Sequence, residues 1–471
     1  MLAAGVGAYA AEPVKPGRDA GALYAQLCAN CHGAQLEGAK APSLRTDQLK
    51  HGRDDEAMLR GIRDGYPSNG MPAFAKTFSE AELRGMVAYL HEAATRAVDP
   101  HLQASHPLPT GTQHSEEHAY RIEAVAEGLL VPWSISFLPD GGILVTEREG
   151  RLRLIENGKL KPEPITGVPK VAVRDEAGLM SVVADPDFAR DPWVYLSFSD
   201  PGDEEGTAMT KLIRARLRGN ALVDQQTIFA LPREQYQKSY VLFGSRLVFQ
   251  GDYLFFSVGV RGMETDVSLH AQDLTVPMGK IHRVFRDGRI PPDNPFVDQP
   301  GAWPSIWARG VRNPQGLAVD PRTGHLWESE HGPRGGDELN VIKRGANYGW
   351  PLVTYGINYD GTPISDKTEA PGMEPPVKHW TPSIATSEIE FYTGDRFPQW
   401  KNNLFLGSLA EQTLYRFVID NDQVTHEEIL FKNIGRIRDI KTGPDGLIYI
   451  ALERVGRPGA VIRLVPEADA P

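Results

Sequence analysis

Leu138-Pro139-Asp140-Gly141-Gly142 is followed at once by Ile143-Leu144-Val145-Thr146-Glu147. The first five residues are turn formers: Pro presets φ, Asp bonds its own backbone and Gly accepts positive φ. The next five are apolar or β-branched and read as a strand. The same order recurs five more times. Asp185-Pro186-Asp187-Phe188 precedes a strand at 193–198, and Phe249-Gln250-Gly251-Asp252 precedes one at 253–258. Turns at 320–324, 395–398 and 443–446 precede strands at 325–328, 403–406 and 447–450. The units are spaced by roughly 47 to 75 residues, and repeats of about 40 residues or more, four short strands each, are the pattern of propeller blades. The expectation is an all-β, six-bladed β-propeller over residues 119–466. A β-sandwich with coincidental turns competes, but such a sandwich has only about 100 residues.

The composition agrees. Gly 47 and Pro 37 make up about 18% of the 471 residues, against a usual ~12%, and such an excess suits many turns. Hydrophobic residues are 41% and charged residues 24%, enough for a packed core. The net charge of -11 speaks against a nucleic-acid partner, because phosphate neutralisation needs excess Lys and Arg. No run reaches the ~18 apolar residues of a membrane-spanning helix.

Upstream of the β region the pattern is helical. The only two Cys lie in Cys28-Ala29-Asn30-Cys31-His32. A disulfide across two residues is a poor staple for a large domain, and no βαβ context supports a redox dithiol. C-x-x-C-H reads as covalent c-type haem attachment, two thiols one helical turn apart for the two vinyl groups and His32 as axial ligand. Met71, in Gly70-Met71-Pro72-Ala73-Phe74, is the candidate second axial ligand, since a thioether opposite His raises the potential and suits electron transfer. A helical run at 19–29 leads into the motif. A second, at 80–94, opens on Ser79 as N-cap with Leu83, Val87 and Leu90 on one face. Residues 15–97 resemble a class I cytochrome c domain over their whole length. The fold class expected is therefore multidomain, a small all-α cytochrome c domain followed by the propeller.

Residues 98–118 carry Pro100, Pro107, Pro109 and four His, and read as a solvated linker. At the other end, the apolar 1–10 finishes in Ala8-Tyr9-Ala10, the form of a secretory cleavage site, although no basic segment precedes it. The expected location is periplasmic or secreted.

Within the β region, Arg312-Asn313-Pro314-Gln315-Gly316-Leu317-Ala318, Ser329-Glu330-His331-Gly332-Pro333-Arg334-Gly335-Gly336-Asp337-Glu338-Leu339-Asn340, Gly345-Ala346-Asn347-Tyr348-Gly349-Trp350-Pro351 and Arg436-Ile437-Arg438-Asp439 resemble the soluble aldose (glucose) dehydrogenases that use pyrroloquinoline quinone (PQQ). The likeness runs from about 120 to 465. It implies a six-bladed propeller with PQQ in a funnel at the channel mouth, Ca²⁺ at the quinone, and oxidation of a sugar aldehyde or lactol. It also implies that Arg312 stands over the reactive carbonyl and stabilises developing negative charge. Backbone carbonyls at Gly332 and Pro333 would ligate Ca²⁺, a hard cation that takes oxygen. Arg436 and Arg438, at i and i+2 of an extended segment, face one side with guanidinium forks suited to the carboxylates of PQQ. Asn313 can hydrogen-bond the cofactor edge. Glu330-His331 and Asp337-Glu338 read as residues that fix loops.

Five positions depart from that family's pattern. Leu242 stands where the family has its catalytic His, Val260 where it has the orienting Asp, and Ala410 where it has a Lys near the quinone. Val311 replaces the His before Arg312, and Glu176 replaces a Gln. Leu cannot take a proton, and losing a general base removes ~10²–10⁴ in rate. Three readings follow. The enzyme binds PQQ and uses another base, with Glu176 the candidate because a carboxylate in a dry funnel is tuned upward. Or the propeller is a non-catalytic binding module tethered to an electron-transfer cytochrome. Or the funnel hosts another cofactor with more apolar walls. The fused haem favours redox chemistry, with a small-molecule substrate, a one-electron relay through the haem and an external electron acceptor.

Overall fold

The computed structural model describes residues 17–46, 49–98 and 104–467, without the side chains of 95–98 and 265. The Ala8-Tyr9-Ala10 cleavage site lies outside the described residues.

Four helices form the N-terminal domain: α1 (Ala20–Leu27), α2 (Ala29–His32), α3 (Asp55–Asp64) and α4 (Glu80–Val98). Each of the longer ones has a sequence reason to start where it does. Asp19 accepts from Gly21 N and Ala22 N at the head of α1, and Asp54 accepts from Ala57 N at the head of α3. Ser79 and Glu82 exchange bonds, Ser79 N to Glu82 Oε2 at 3.0 Å and Glu82 N to Ser79 Oγ at 3.2 Å, a capping box. Glu82 also takes Arg18 Nε at 2.8 Å, and that bond holds its carboxyl down at about 2. The buried stripe of α4, with Leu83, Val87 and Leu90, packs on Leu23, Tyr24, Leu59 and Phe74. The expected continuous helix at 19–29 is broken at Cys28, which lies between α1 and α2.

Six sheets follow. Their innermost strands are Pro132–Phe137, Leu179–Ala184, Gly244–Gln250, Pro314–Val319, Thr386–Phe391 and Arg436–Thr442. Each pairs antiparallel with the next strand in sequence, and each packs against the innermost strands on either side, the sixth against the first. This is a closed six-bladed propeller. All six turn units of the sequence fall at the hairpin between the first and second strand of a blade. The ring is closed by Ala119–Leu129, which adds to Gly459–Pro466 as the outer part of the last blade. Tyr120 on that strand is buried and donates to the Leu430 carbonyl at 2.7 Å.

The expected linker is only partly a tether. Residues 104–118 lie along the propeller: Ser105 Oγ donates to Gln412 Oε1, His106 N to the Asn433 carbonyl, and Gln113–His114 pairs with the closing strand. His118 is not merely solvated. Its ring stacks edge-on against Phe397 and Trp400. Pro and His suit an extended segment, but extended backbone still seeks partners, and the edge of the last blade supplies them.

Along the axis, charged side chains of the innermost strands meet. Arg246 pairs with Glu388 and Asp439, and Lys441 with the same two acids. Among the described residues no helix is long and apolar enough to cross a membrane.

Candidate functional site

In the helical domain the haem motif sits on the α1–α2 corner. His32 Nδ1 lies 3.0 Å from the Pro42 carbonyl. A carbonyl only accepts, so Nδ1 is the donor, and in the neutral ring that leaves the lone pair on Nε2, the tautomer a metal ligand needs. The loop after the motif folds back on it, with Gly38 N bonded to the His32 carbonyl and Ala41 N to the Cys31 carbonyl. Cys28 and Cys31 are not joined to each other. Burial and the neighbouring Cys31 push the Cys28 thiol up to about 11, the opposite of what an attacking redox thiol requires. Met71 is half-buried and fixed by backbone bonds to Tyr66 in both directions. The donor set fits a covalently held haem: two unjoined thiols, an imidazole with a free Nε2 and an anchored thioether.

The second site is at one mouth of the propeller, where the innermost strands begin and their hairpin partners end. Trp133, Glu176, Phe243, Gln315, Arg436 and Arg438 line a cavity of about 170 Å³ there, with Arg148, His331 and Glu453. Arg436 and Glu453 are cross-strand partners. Glu453 Oε2 takes Arg438 Nε at 2.7 Å and Arg436 Nε at 3.3 Å. One carboxylate thus answers two guanidinium groups, with Arg148 also near. The excess of positive charge shows in Arg436, whose pKa is lowered by burial and then by Arg438.

Arg312 is buried, and Nη1 donates to the His331 and Gly332 carbonyls at 2.8 and 2.9 Å. Its guanidinium lies 5.2 Å from the centre of the Trp350 ring. Glu330 Oε2 caps the backbone N–H groups of Arg312 and Asn313. Asp337 takes Gly332 N, Ser383 Oγ and Thr386 N, so these acids do fix loops. Asn313 uses its Oδ1 on Gly244 N and Gln315 Nε2, while the buried Asn313 Nδ2 and His331 Nε2 have no partner. Burial, then Arg312, lowers the His331 pKa to about 3, which keeps the imidazole neutral. Three Arg side chains line the cavity against two carboxylates, Glu453 and Glu176, and this positive excess, with two orphaned polar atoms nearby, fits a ligand carrying carboxylates. The Gly332 carbonyl, expected as a cation ligand, is here the acceptor of Arg312. That oxygen has a second lone pair, so a cation there would share the oxygen with the guanidinium. Among the described residues no group of three or more His, Cys, Asp or Glu is arranged to hold a metal ion, so a cation at Gly332 and Pro333 would rely on backbone oxygens.

Two of the departures from the family pattern, Leu242 and Val260, meet on one wall. Leu242, Val260, Ala271 and Trp350 form a buried apolar cluster, placed where base and orienting acid were expected. The backbone there is strained: Leu242, Ser245 and Arg261 have φ of 56°, 83° and 72°, and such residues cost of order 1–3 kcal/mol each and gather at functional sites.

Glu176 does not lie in a dry funnel. It is exposed, on the turn that precedes the second innermost strand, because that turn projects at the mouth. Its Oε2 accepts from Leu242 N at 2.8 Å, which ties it to the altered wall. Ala410 is exposed at the rim, and Val311 is buried in the blade core.

Four contributors escaped sequence reading. Trp133, Arg148 and Glu453 line the cavity, and Glu453 faces Arg436 only because a bulge between Ile437 and Asp439 shifts the register by one residue. The fourth is Arg261, fully buried behind Leu242. Its guanidinium bonds only backbone carbonyls, those of Val241, Ala208 and Ser239, and lies 3.3 Å from the Phe243 ring centre. Burial lowers its pKa to about 9 and the Glu176 charge opposes that shift.

A closed six-bladed ring with a cationic cup at the entry of its innermost strands, joined to a helical domain bearing a haem-attachment motif, defines a propeller oxidoreductase with a cytochrome domain. The chain belongs to the Glucose / Sorbosone dehydrogenase family, which it matches over residues 129–463. Residues 15–90 match the family described as Cytochrome C oxidase, cbb3-type, subunit III. The chain is 41% identical over 352 residues to an aldose sugar dehydrogenase of Escherichia coli (strain K12), covering 73% of this chain and 92% of that protein. The solved apo form of the soluble aldose sugar dehydrogenase from Escherichia coli superposes with a TM-score of 0.68 at 38% identity, over 74% of this chain and all (100%) of that one. The PQQ-bound form of an aldose sugar dehydrogenase from Streptomyces coelicolor superposes with a TM-score of 0.60 at 26% identity, over 74% of this chain and 98% of that one.

Proposed function

We propose that this chain is a quinohaemoprotein dehydrogenase of periplasmic or secreted location, oxidising an aldose or related aldehyde at a PQQ and Ca²⁺ site in the propeller mouth and passing electrons to a class I type haem c in its own N-terminal domain. The observation that carries the reading is the Arg436–Arg438 fork with Arg312 on the other side of His331, and with Asn313 Nδ2 and His331 Nε2 unpartnered. When bound, PQQ supplies a two-electron acceptor. The chain supplies the rest. Arg436, Arg438 and Arg148 hold carboxylates, Asn313 donates to the cofactor edge, and Arg312 is aimed by two carbonyls so that its charge meets developing negative charge. His32 offers Nε2 and Met71 its sulfur to the haem iron, and Cys28 and Cys31 tether the porphyrin.

The proton leaves by a different route from the family's. Leu242 and Val260 take none. Of the carboxylates lining the cavity, Glu453 is engaged by two guanidinium groups and Glu176 by a single backbone N–H. Glu176 is the group left to accept a proton from a substrate hydroxyl. Glu176→Gln keeps an oxygen for Leu242 N while removing the charge. The expected result is a fall in kcat of ~10²–10⁴ with PQQ affinity retained. Steady-state oxidation of a panel of aldoses and aldehydes, run beside PQQ titration, checks it. An unchanged kcat removes Glu176 from the reaction. The binding-module reading is favoured by the apolar cluster at Leu242, and PQQ binding without turnover on any substrate would select it.

A further inference from the structure

The helical domain rests on a confined part of the propeller. Arg334 Nε donates to Glu92 Oε2 on α4 at 2.8 Å, with side chains only 19% and 15% exposed. Ala20 N, at the start of α1, donates to the Gly361 carbonyl at 3.2 Å. The α4 backbone at Gly85 comes within side-chain reach of Ile357. A cleft between the domains has Leu59, Arg84 and Val87 on one side and Thr354, Tyr355 and Ile357 on the other.

Two segments build the propeller side of this contact, and they are zipped together. Arg334 and Ile357 exchange two backbone bonds of 3.1 Å. Gly356 lies against Gly335 so closely that a Cβ on it would stand 2.3 Å from the Gly335 carbonyl oxygen. The same two segments form the inner wall of the site. His331 and Gly332 take Arg312 Nη1 just before Arg334, and Trp350 lies under the Arg312 guanidinium just before Thr354. Thr354 lines both the small cavity beside Arg312 and the cleft between the domains.

We propose that segments 331–336 and 350–357 are a docking plate that seats the haem domain on the back of the Arg312 wall, with Glu92–Arg334 as its electrostatic latch. A partly buried, forked pair of this kind holds by charge-assisted hydrogen bonds and is screened by salt less than an exposed pair. The haem domain therefore stays seated while the pair is intact, and reversing one charge sets two like charges against each other at the seat. The use of the seat rests on the proposed function; its existence does not.

The test uses the intact haem-loaded protein and its variants Arg334→Glu, Glu92→Arg and the double reversal. Proteolytic release of the haem domain and small-angle scattering at low salt report the docking, and the haem absorption bands report folding. Each single reversal is expected to speed release roughly tenfold and to enlarge the particle, the double reversal to bring both back towards the parent. Because the two residues lie on different domains, a folding failure of one variant leaves the other to decide. Single reversals that match the parent, or a double reversal that restores nothing, overturn the plate. Lost substrate-driven haem reduction with docking intact counts against the proposed function instead.

Discussion

Replacing Cys28 and Cys31 together by Ala is expected to give a protein without covalently bound haem. Both thiols sit at the α1–α2 corner, unjoined to each other, and the fold offers no other cysteine. His32 and Met71 then hold the iron by coordinate bonds alone, which leaves the porphyrin free to dissociate. A pyridine haemochrome assay on denatured, acid-extracted material reads the result directly. The parent retains haem with the polypeptide, and the double variant loses it. The propeller keeps its fold because its core clusters share no residue with that of the helical domain, so the PQQ binding proposed for it is expected to be unaffected. Retention of covalent haem by the double variant would contradict the assignment of the motif.

Removing the fork, Arg436→Ala with Arg438→Ala, is expected to weaken PQQ binding by about 10²–10⁴. Each guanidinium–carboxylate contact is a charge-assisted bond worth ~1.5–3 kcal/mol, and each 1.4 kcal/mol is a factor of ten. The change also strips Glu453 of both partners, at a site where burial works against its charge. Some loss of stability must therefore accompany the loss of affinity. Adding Glu453→Ala separates the two: the triple variant should regain stability and still bind PQQ poorly. If the triple variant binds like the parent, the fork serves only to neutralise Glu453.

The blade count was legible because each blade announces itself locally. Turn residues at 138–142, 185–188, 249–252, 320–324, 395–398 and 443–446 sit at the hairpin of the two inner strands, where geometry demands Gly, Pro and Asp. The outer strands give no such signal, and the closing strand Ala119–Leu129 adds to a blade whose three inner strands lie more than 300 residues later. Arg312, Asn313, Arg436 and Arg438 were readable from the motifs that carry them. Arg148 and Arg261 were not, because only ring closure brings residues of different blades to one mouth, and Glu453 was not, because a bulge shifts its register against Arg436. Exposure was equally hidden: Glu176 is wet because of where a turn projects, which no residue type encodes. The segment 104–118 has the composition of a tether, and its backbone nonetheless finds partners on the last blade.

The claim that the propeller and haem form one redox circuit is tested most directly by single-turnover mixing. The protein is loaded with PQQ and Ca²⁺, mixed with an aldose in the absence of external acceptor, and the haem α band is followed. The account predicts that the band of ferrous haem rises in step with substrate oxidation, and that Glu176→Gln slows the rise. Haem that stays ferric while the propeller-bound cofactor becomes reduced would contradict it.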